Sequence, residues 1–210
     1  YEQGVRSIIA TPHFISGSTK DTIVERRRLV EQVKEVAKEI APDLAVFIGN
    51  ELYYTGAVLE DLQKGRASTL ADSDYVLVEF STTTPYKEIY QGFRQLIQAG
   101  YRPVLAHVER YEALYKKEDN IRELISLGIY IQMNTESVMG GLFDGRAAYC
   151  RKLMASGLIH LLGSDAHSDT KRPPLMLDAV TLLRKKNIPE ALLEKILYVN
   201  PERILQNKYI

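Results

Sequence analysis

Tryptophan is absent from the 210 residues, and cysteine occurs once, at Cys150. A lone cysteine excludes an internal disulfide and a thiolate-rich structural zinc site, and it suits a reducing compartment. No apolar run approaches the roughly 20 residues that a membrane-spanning helix needs, and the first residues carry no signal-peptide pattern. Neither sign of charge is in excess. Lys plus Arg and Asp plus Glu each number 27, so no global basic field favours nucleic acid and no acidic tail suggests a solvating role. These absences lead to the expectation of a soluble cytoplasmic protein. Its length supports a single domain over residues 1–210 rather than two.

Present instead are short apolar runs alternating with amphipathic stretches. The runs are Ser7–Pro12, Ala45–Gly49, Tyr75–Phe80, Pro103–Ala106, Ile129–Met133 and Leu158–Gly163. Each is nearly all apolar, as a parallel strand buried on both faces requires. Between them, Thr22–Ile40 places Ile23, Leu29, Val30, Val33, Val36, Ala37 and Ile40 on one side of a helix. Tyr86–Ala99, Asn120–Leu127, Arg146–Ser156, Leu175–Lys186 and Ala191–Leu197 have similar spacing. The alternation predicts an α/β fold built on a parallel sheet or barrel. Glycine punctuates it, at Gly100, Gly128 and Gly157, where a helix ends and a strand follows at once. The opening Glu2-Gln3-Gly4-Val5 has the same form, so Tyr1–Gln3 read as the tail of a helix and a βα unit is expected upstream.

Chemistry gathers where the strands end. The first run leads into Ala10-Thr11-Pro12-His13 and the second into Gly49-Asn50-Glu51. The fourth leads into Ala106-His107-Val108-Glu109-Arg110 and the sixth into Gly163-Ser164-Asp165-Ala166-His167. Three of the four histidines thus fall just beyond buried strands, on the face that carries the active site of a β/α barrel. Mixed imidazole and carboxylate donors suit manganese, iron or zinc. The candidate ligands are His13, Glu51, His107, Asp165 and His167. Paired metals activate water and clamp the oxygens of a phosphoryl group in transfer. Arg110 and Arg172 stand in the same loops and are candidates for binding a phosphate dianion, which guanidinium recognises in bidentate fashion. Glu79 and Asn134 also lie near strand ends and read as groups that orient ligands rather than as ligands. His160, inside a strand, reads as a core residue or as a group behind the ligands, and Tyr53 and Tyr54 as half-buried rim residues.

In this order the motifs resemble those of the polymerase-and-histidinol-phosphatase (PHP) superfamily. Ala-His107-Val-Glu-Arg110-Tyr and the stretch Tyr75–Ser81 are most similar to the bacterial tyrosine-protein phosphatases of capsule and exopolysaccharide gene clusters. The resemblance covers nearly the whole chain. It implies a distorted, TIM-like (β/α)7 barrel with up to three metals, manganese first and iron or zinc as alternatives. It also implies hydrolysis of phosphotyrosine on the tail of a cognate bacterial tyrosine kinase. Carried over, His13 and His167 serve one metal, Glu51 bridges two others, His107 binds one of these, Asp165 completes the set, and Arg110 and Arg172 bind phosphate. The family's first strand carries a His-x-His pair followed by an acidic loop. Neither occurs here, so the chain is expected to lack the first βα unit and part of the metal set. The edge so exposed would call for cover by a partner chain, a homo-oligomer included.

Rival readings are a PHP phosphoesterase acting on a small molecule such as histidinol phosphate, and a degenerate PHP module that only binds. A metal-dependent amidohydrolase lacks support, because no strand end offers a lysine ligand. A cysteine-based tyrosine phosphatase is excluded. That chemistry needs Arg six residues after the nucleophile, and the residue six after Cys150 is Ser156. Cys150 lies mid-helix and reads as a packing residue.

Overall fold

A computed structural model describes residues 1–141 and 143–210. Every strand pairing is parallel, and the strands follow one another across the sheet in chain order. Strand β1 (Ser7–Ala10) pairs with β3 (Ala45–Ile48), and β2 (His13–Ile15) with β4 (Glu51–Tyr53). Beyond β4 come β5 (Tyr75–Glu79), β6 (Arg102–Leu105), β7 (Tyr130–Asn134) and β8 (Leu161–Gly163). The helices are α1 (Ile23–Ile40), α2 (Val58–Gln63), α3 (Tyr86–Gln98), α4 (Glu118–Leu127), α5 (Gly145–Ala155), α6 (Met176–Lys185), α7 (Glu190–Glu194) and α8 (Asn200–Leu205), with a π-helical turn joining the last two. No helix among the described residues is long and apolar enough to cross a membrane.

The first two strands run further than the apolar pattern suggests. Pro12 has no N–H to donate, so the ladder breaks there, yet the register does not slip: Ala10 stands opposite Ile48, and His13 opposite Glu51. Across the break, the Gly49 N–H donates to the Ala10 carbonyl (2.8 Å) and the Glu51 N–H to the Pro12 carbonyl (3.2 Å). The buried Asn50 amide donates to the same Pro12 carbonyl (2.9 Å) and accepts from the Ser68 N–H (2.8 Å). His13 and Glu51 therefore begin strand segments rather than follow strands.

Both faces of the sheet are covered. Outward residues such as Leu52, Val76, Val78 and Leu105 join the large core beneath the helices. Inward residues Tyr75, Val104 and Leu161, with Ile9, Leu77 and Tyr130 against them, form a smaller core completed by Ile204. The C-terminal segment closes that end, since the Tyr75 hydroxyl donates to the Lys208 carbonyl and Arg102 to that of Asn207. The opposite end of the strands is polar. There the two ends of the sheet approach each other, the His13 and His167 ring centres lying 5.7 Å apart. Among the described residues no ladder joins β8 to β1 or β2.

Helix α1 starts at a capping box of Thr22 and Glu25, but its apolar side is split. Ile23, Val30 and Ala37 are partly buried, whereas Leu29, Val33, Val36 and Ile40 are 51, 54, 61 and 77 % exposed. Helix α1 packs on β3, which pairs with β1 at the free edge of the sheet. The turns from helix to strand at Gly128 (φ 100°) and Gly157 (φ 69°) adopt the left-handed conformation expected of them.

Gly92 lets α3 approach Tyr54 and Phe80 closely. A Cβ there would sit 2.7 Å from the Tyr54 ring and 3.1 Å from that of Phe80. Gly92→Ala gains about 1 kcal/mol of helix propensity but overpacks by about 1–3 kcal/mol. The expected outcome in urea denaturation is a net loss of stability rather than the gain usual for Gly→Ala in a helix.

Candidate metal centre

Four side chains from neighbouring strands converge at the polar end. His13 and Glu51 are brought side by side by the β2–β4 register, Glu79 is the last residue of β5, and His107 follows β6. They alternate in charge type. His107 Nε2 lies 2.8 Å from Glu51 Oε1 and 3.2 Å from Glu79 Oε2. His13 Nδ1 lies 3.0 Å from Glu79 Oε1 and 3.7 Å from Glu51 Oε2. Donor atoms of His13, Glu51 and Glu79 all fall within 4.8 Å of one another. The His107 ring is held from behind by stacking on Tyr111 (centroids 5.7 Å apart), whose hydroxyl accepts from the Phe80 N–H at 3.2 Å.

A second group adjoins the first. Asp165 Oδ2 accepts from Arg110 Nη2 (2.7 Å), from Asn134 Nδ2 (2.8 Å) and from Arg172 Nη2. Three donors crowd one oxygen, while Oδ1 lies 3.5 Å from His167 Nδ1. The loop that carries Arg172 is folded back on itself: the His167 N–H donates to the Arg172 carbonyl (3.0 Å), and Ser168 Oγ accepts from the Lys171 and Arg172 N–H groups. All seven residues singled out by the strand-end motifs thus lie in two adjacent groups, which meet where His13 faces His167.

Glu79 stands differently from its reading in the sequence. It shares the donor group with His13 and Glu51 and contacts His107, so it belongs with the candidate ligands and not behind them. The signal was the alternation Tyr75, Leu77, Glu79, which puts the carboxylate on the inward face as the last member of an otherwise apolar set. Asn134 donates to Asp165 and so stays within the site as a group that touches a candidate ligand, whereas Tyr54, His160 and Cys150 fall outside it. Tyr54 stacks on Phe80 and donates to Gln95. His160 accepts from the Ile131 N–H, and burial lowers its pKa to about 4. Cys150 is buried in α5, where burial pushes its thiol up to about 12.

The electrostatics call for a cation. Burial opposes protonation of His107, but hydrogen bonds to Glu51 and Glu79 outweigh it and raise its pKa to about 9. Burial likewise pushes Glu79 up, and the two histidines more than reverse this, leaving it below the usual carboxylate range. Two carboxylates aimed at one imidazole nitrogen need a positive charge between them, supplied by a proton when nothing else does so. Carboxylate oxygens with imidazole nitrogens, and no thiolate, are a donor set that fits Mn2+, Fe2+ or Zn2+.

The family described as capsular polysaccharide synthesis, CpsB/CapC, matches residues 1–206. Tyrosine-protein phosphatase CpsB of Streptococcus pneumoniae is 38% identical over 216 residues, spanning all of this chain and 88% of that protein. Tyrosine-protein phosphatase YwqE of Bacillus subtilis (strain 168) is 33% identical over 209 residues, spanning 99% of this chain and 81% of the other. A solved structure from work on YwqE of Bacillus subtilis and CpsB of Streptococcus pneumoniae, called unique metal-dependent tyrosine phosphatases, superposes with a TM-score of 0.86. It shares 29% identity and covers 100% of this chain and 84% of that one.

A metal that takes the place of the proton on His107 must displace it. Mn2+ affinity is therefore expected to rise as pH increases from about 6.5, by up to about tenfold per unit for one released proton, and to level off near 9. The metal-free protein runs the other way. The stability that charged His107 contributes is full below its ordinary pKa and is lost as pH climbs through about 9. Calorimetric Mn2+ titration and urea denaturation across that range check both slopes.

Proposed function

The chain belongs to the CpsB/CapC family of capsular polysaccharide synthesis, and we propose that it is a metal-dependent protein-tyrosine phosphatase acting on a bacterial tyrosine kinase that regulates capsule or exopolysaccharide synthesis. One observation carries the reading. A pair of carboxylates that demands a cation (Glu51 and Glu79 on His107) lies beside a pair of guanidiniums gathered on Asp165. A cation site next to an anion site is what metal-dependent hydrolysis of a phosphate monoester uses.

His13, Glu51, Glu79, His107, Asp165 and His167 would hold the metals, up to three in number and manganese first. Divalent cations there supply Lewis acidity toward the phosphoryl oxygens and lower the pKa of the attacking water. Arg110 and Arg172 bind the phosphate. Each commits a terminal nitrogen to Asp165, which holds the planar fork in place and leaves other N–H groups for the oxygens of the phosphoryl dianion as it is transferred. Asp165 thereby serves both sides, with Oδ2 orienting the guanidiniums and Oδ1 left toward His167.

The reading extends to architecture and setting. The curved sheet is taken as the greater part of a single (β/α)7 barrel domain. The partner is the phosphotyrosine-bearing tail of the kinase, not nucleic acid, for which the balanced charge offers no attraction. A cytoplasmic site of action accords with the single, buried thiol.

The expected outcome is p-nitrophenyl phosphate hydrolysis that depends on added Mn2+ and ceases with a chelator. Failure to hydrolyse it in the presence of Mn2+ would favour a module that only binds. His107→Ala is expected to abolish turnover. Arg110→Ala is expected to lower kcat by about a hundredfold, the scale of losing one transition-state donor, while metal content, measured by atomic absorption, is retained.

A further inference from the structure

Strand β7 ends without a His, Asp or Glu in either ligand group, yet its inward positions are polar. Gln132 and Asn134 are both buried there. Their carboxamides form a continuous chain between the two groups. The His107 N–H donates to Gln132 Oε1 (2.5 Å), Gln132 Nε2 donates to Asn134 Oδ1 (3.0 Å), and Asn134 Nδ2 donates to Asp165 Oδ2 (2.8 Å). The direction is forced from both ends. A backbone N–H can only donate, and a carboxylate gripped by two guanidiniums accepts, so each amide has one orientation that satisfies its neighbours.

Three further features hold this chain in place. Gly163, on the adjoining strand, leaves room for the Gln132 amide, since a Cβ there would collide with Nε2. Gln132 Nε2 also donates to the Met133 carbonyl (3.1 Å). The buried Glu109 accepts from the Asn134 N–H (3.2 Å) and from Ser137 Oγ (2.7 Å), fixing the strand end that carries the relay. The residues at the two ends of the chain, His107 (φ 36°) and Asp165 (φ 48°), both lie in left-handed backbone. Non-glycine residues hold that conformation only where their surroundings over-determine it.

We infer that Gln132 and Asn134 are positioning residues: their carboxamide relay ties the turn of His107 to the carboxylate of Asp165 and so sets the spacing between the two groups of metal ligands. The inference rests on the metal-centre reading above. Ligands held by hydrogen-bonded partners bind metal more tightly, and losing such a partner typically lowers affinity by about ten- to a hundredfold.

The test uses Asn134→Leu and Gln132→Met, which keep approximate size and remove the relay. Asn134→Ser stands in if the leucine variant does not fold. Calorimetric Mn2+ titration gives affinity, and the visible spectrum of the Co2+-loaded protein reports ligand geometry. The expected result is Mn2+ affinity lowered by about ten- to a hundredfold together with a changed Co2+ spectrum. Wild-type affinity and spectrum in folded variants, even with a lower melting temperature, would reduce these residues to a structural role and overturn the relay. A wild type that binds Mn2+ tightly but hydrolyses no aryl phosphate would defeat the phosphatase reading alone, the relay still being decided by affinity. A wild type that binds no Mn2+ would overturn both.

Discussion

In a parallel ladder, residues two apart share a face, and the centre of this protein follows from what the inward face carries at each end. At one end it is apolar, with Tyr75 and Leu77 of β5, Tyr130 of β7 and Leu161 of β8 packed with Val104 and Ile204. Two or four residues further along the same strands, the same face presents Glu79, then Gln132 and Asn134, and beyond β8 Asp165. A shift of one residue in any strand would turn its polar group outward into the helical layer. The apolar core at one end therefore maintains the register on which the chemistry at the other depends.

The polar end is stable only because its charges compensate one another. Glu51 is buried and Glu79 largely so, and each faces two imidazoles. Left alone, buried carboxylates this close would carry a desolvation cost that few contacts offset. A proton on His107 settles the balance in the metal-free chain, and a divalent cation would settle it with two charges instead of one. On the other side, Arg110 and Arg172 share a single carboxylate, which leaves positive charge over for an anion. Cation demand and anion demand are kept apart by strand positions yet linked through Asp165 and the amides of β7.

Much of the architecture was legible in the sequence because strands buried on both faces leave short, fully apolar runs, and these stood out between amphipathic helices. The runs underestimated the first two strands. Pro12 and Asn50 look like punctuation, but an amide hydrogen bond carries the pairing past them. The apolar residues of α1 were read as sharing one side of a helix. Helical periodicity records which residues share a side, not what covers it, and half of that side faces solvent beside an open sheet edge. The five histidine and acidic ligand candidates were visible because each sits in a motif beyond an apolar run. Glu79 was undervalued because no second donor adjoins it in the chain, and Gln132 drew no notice because an amide inside a strand carries no motif.

What the sequence by itself determined was the inventory: alternating strand and helix, donors of nitrogen and oxygen without sulfur, and two arginines near them. Those are properties of neighbours along the chain. Only the tertiary structure decided which donors meet, that Glu79 joins His13 and Glu51, that Asp165 is shared by two guanidiniums and an amide, and that His107 and Asp165 are connected through β7. Such pairings depend on register and on the curl that brings the end of the last strand back beside the first, and neither leaves a trace in local periodicity.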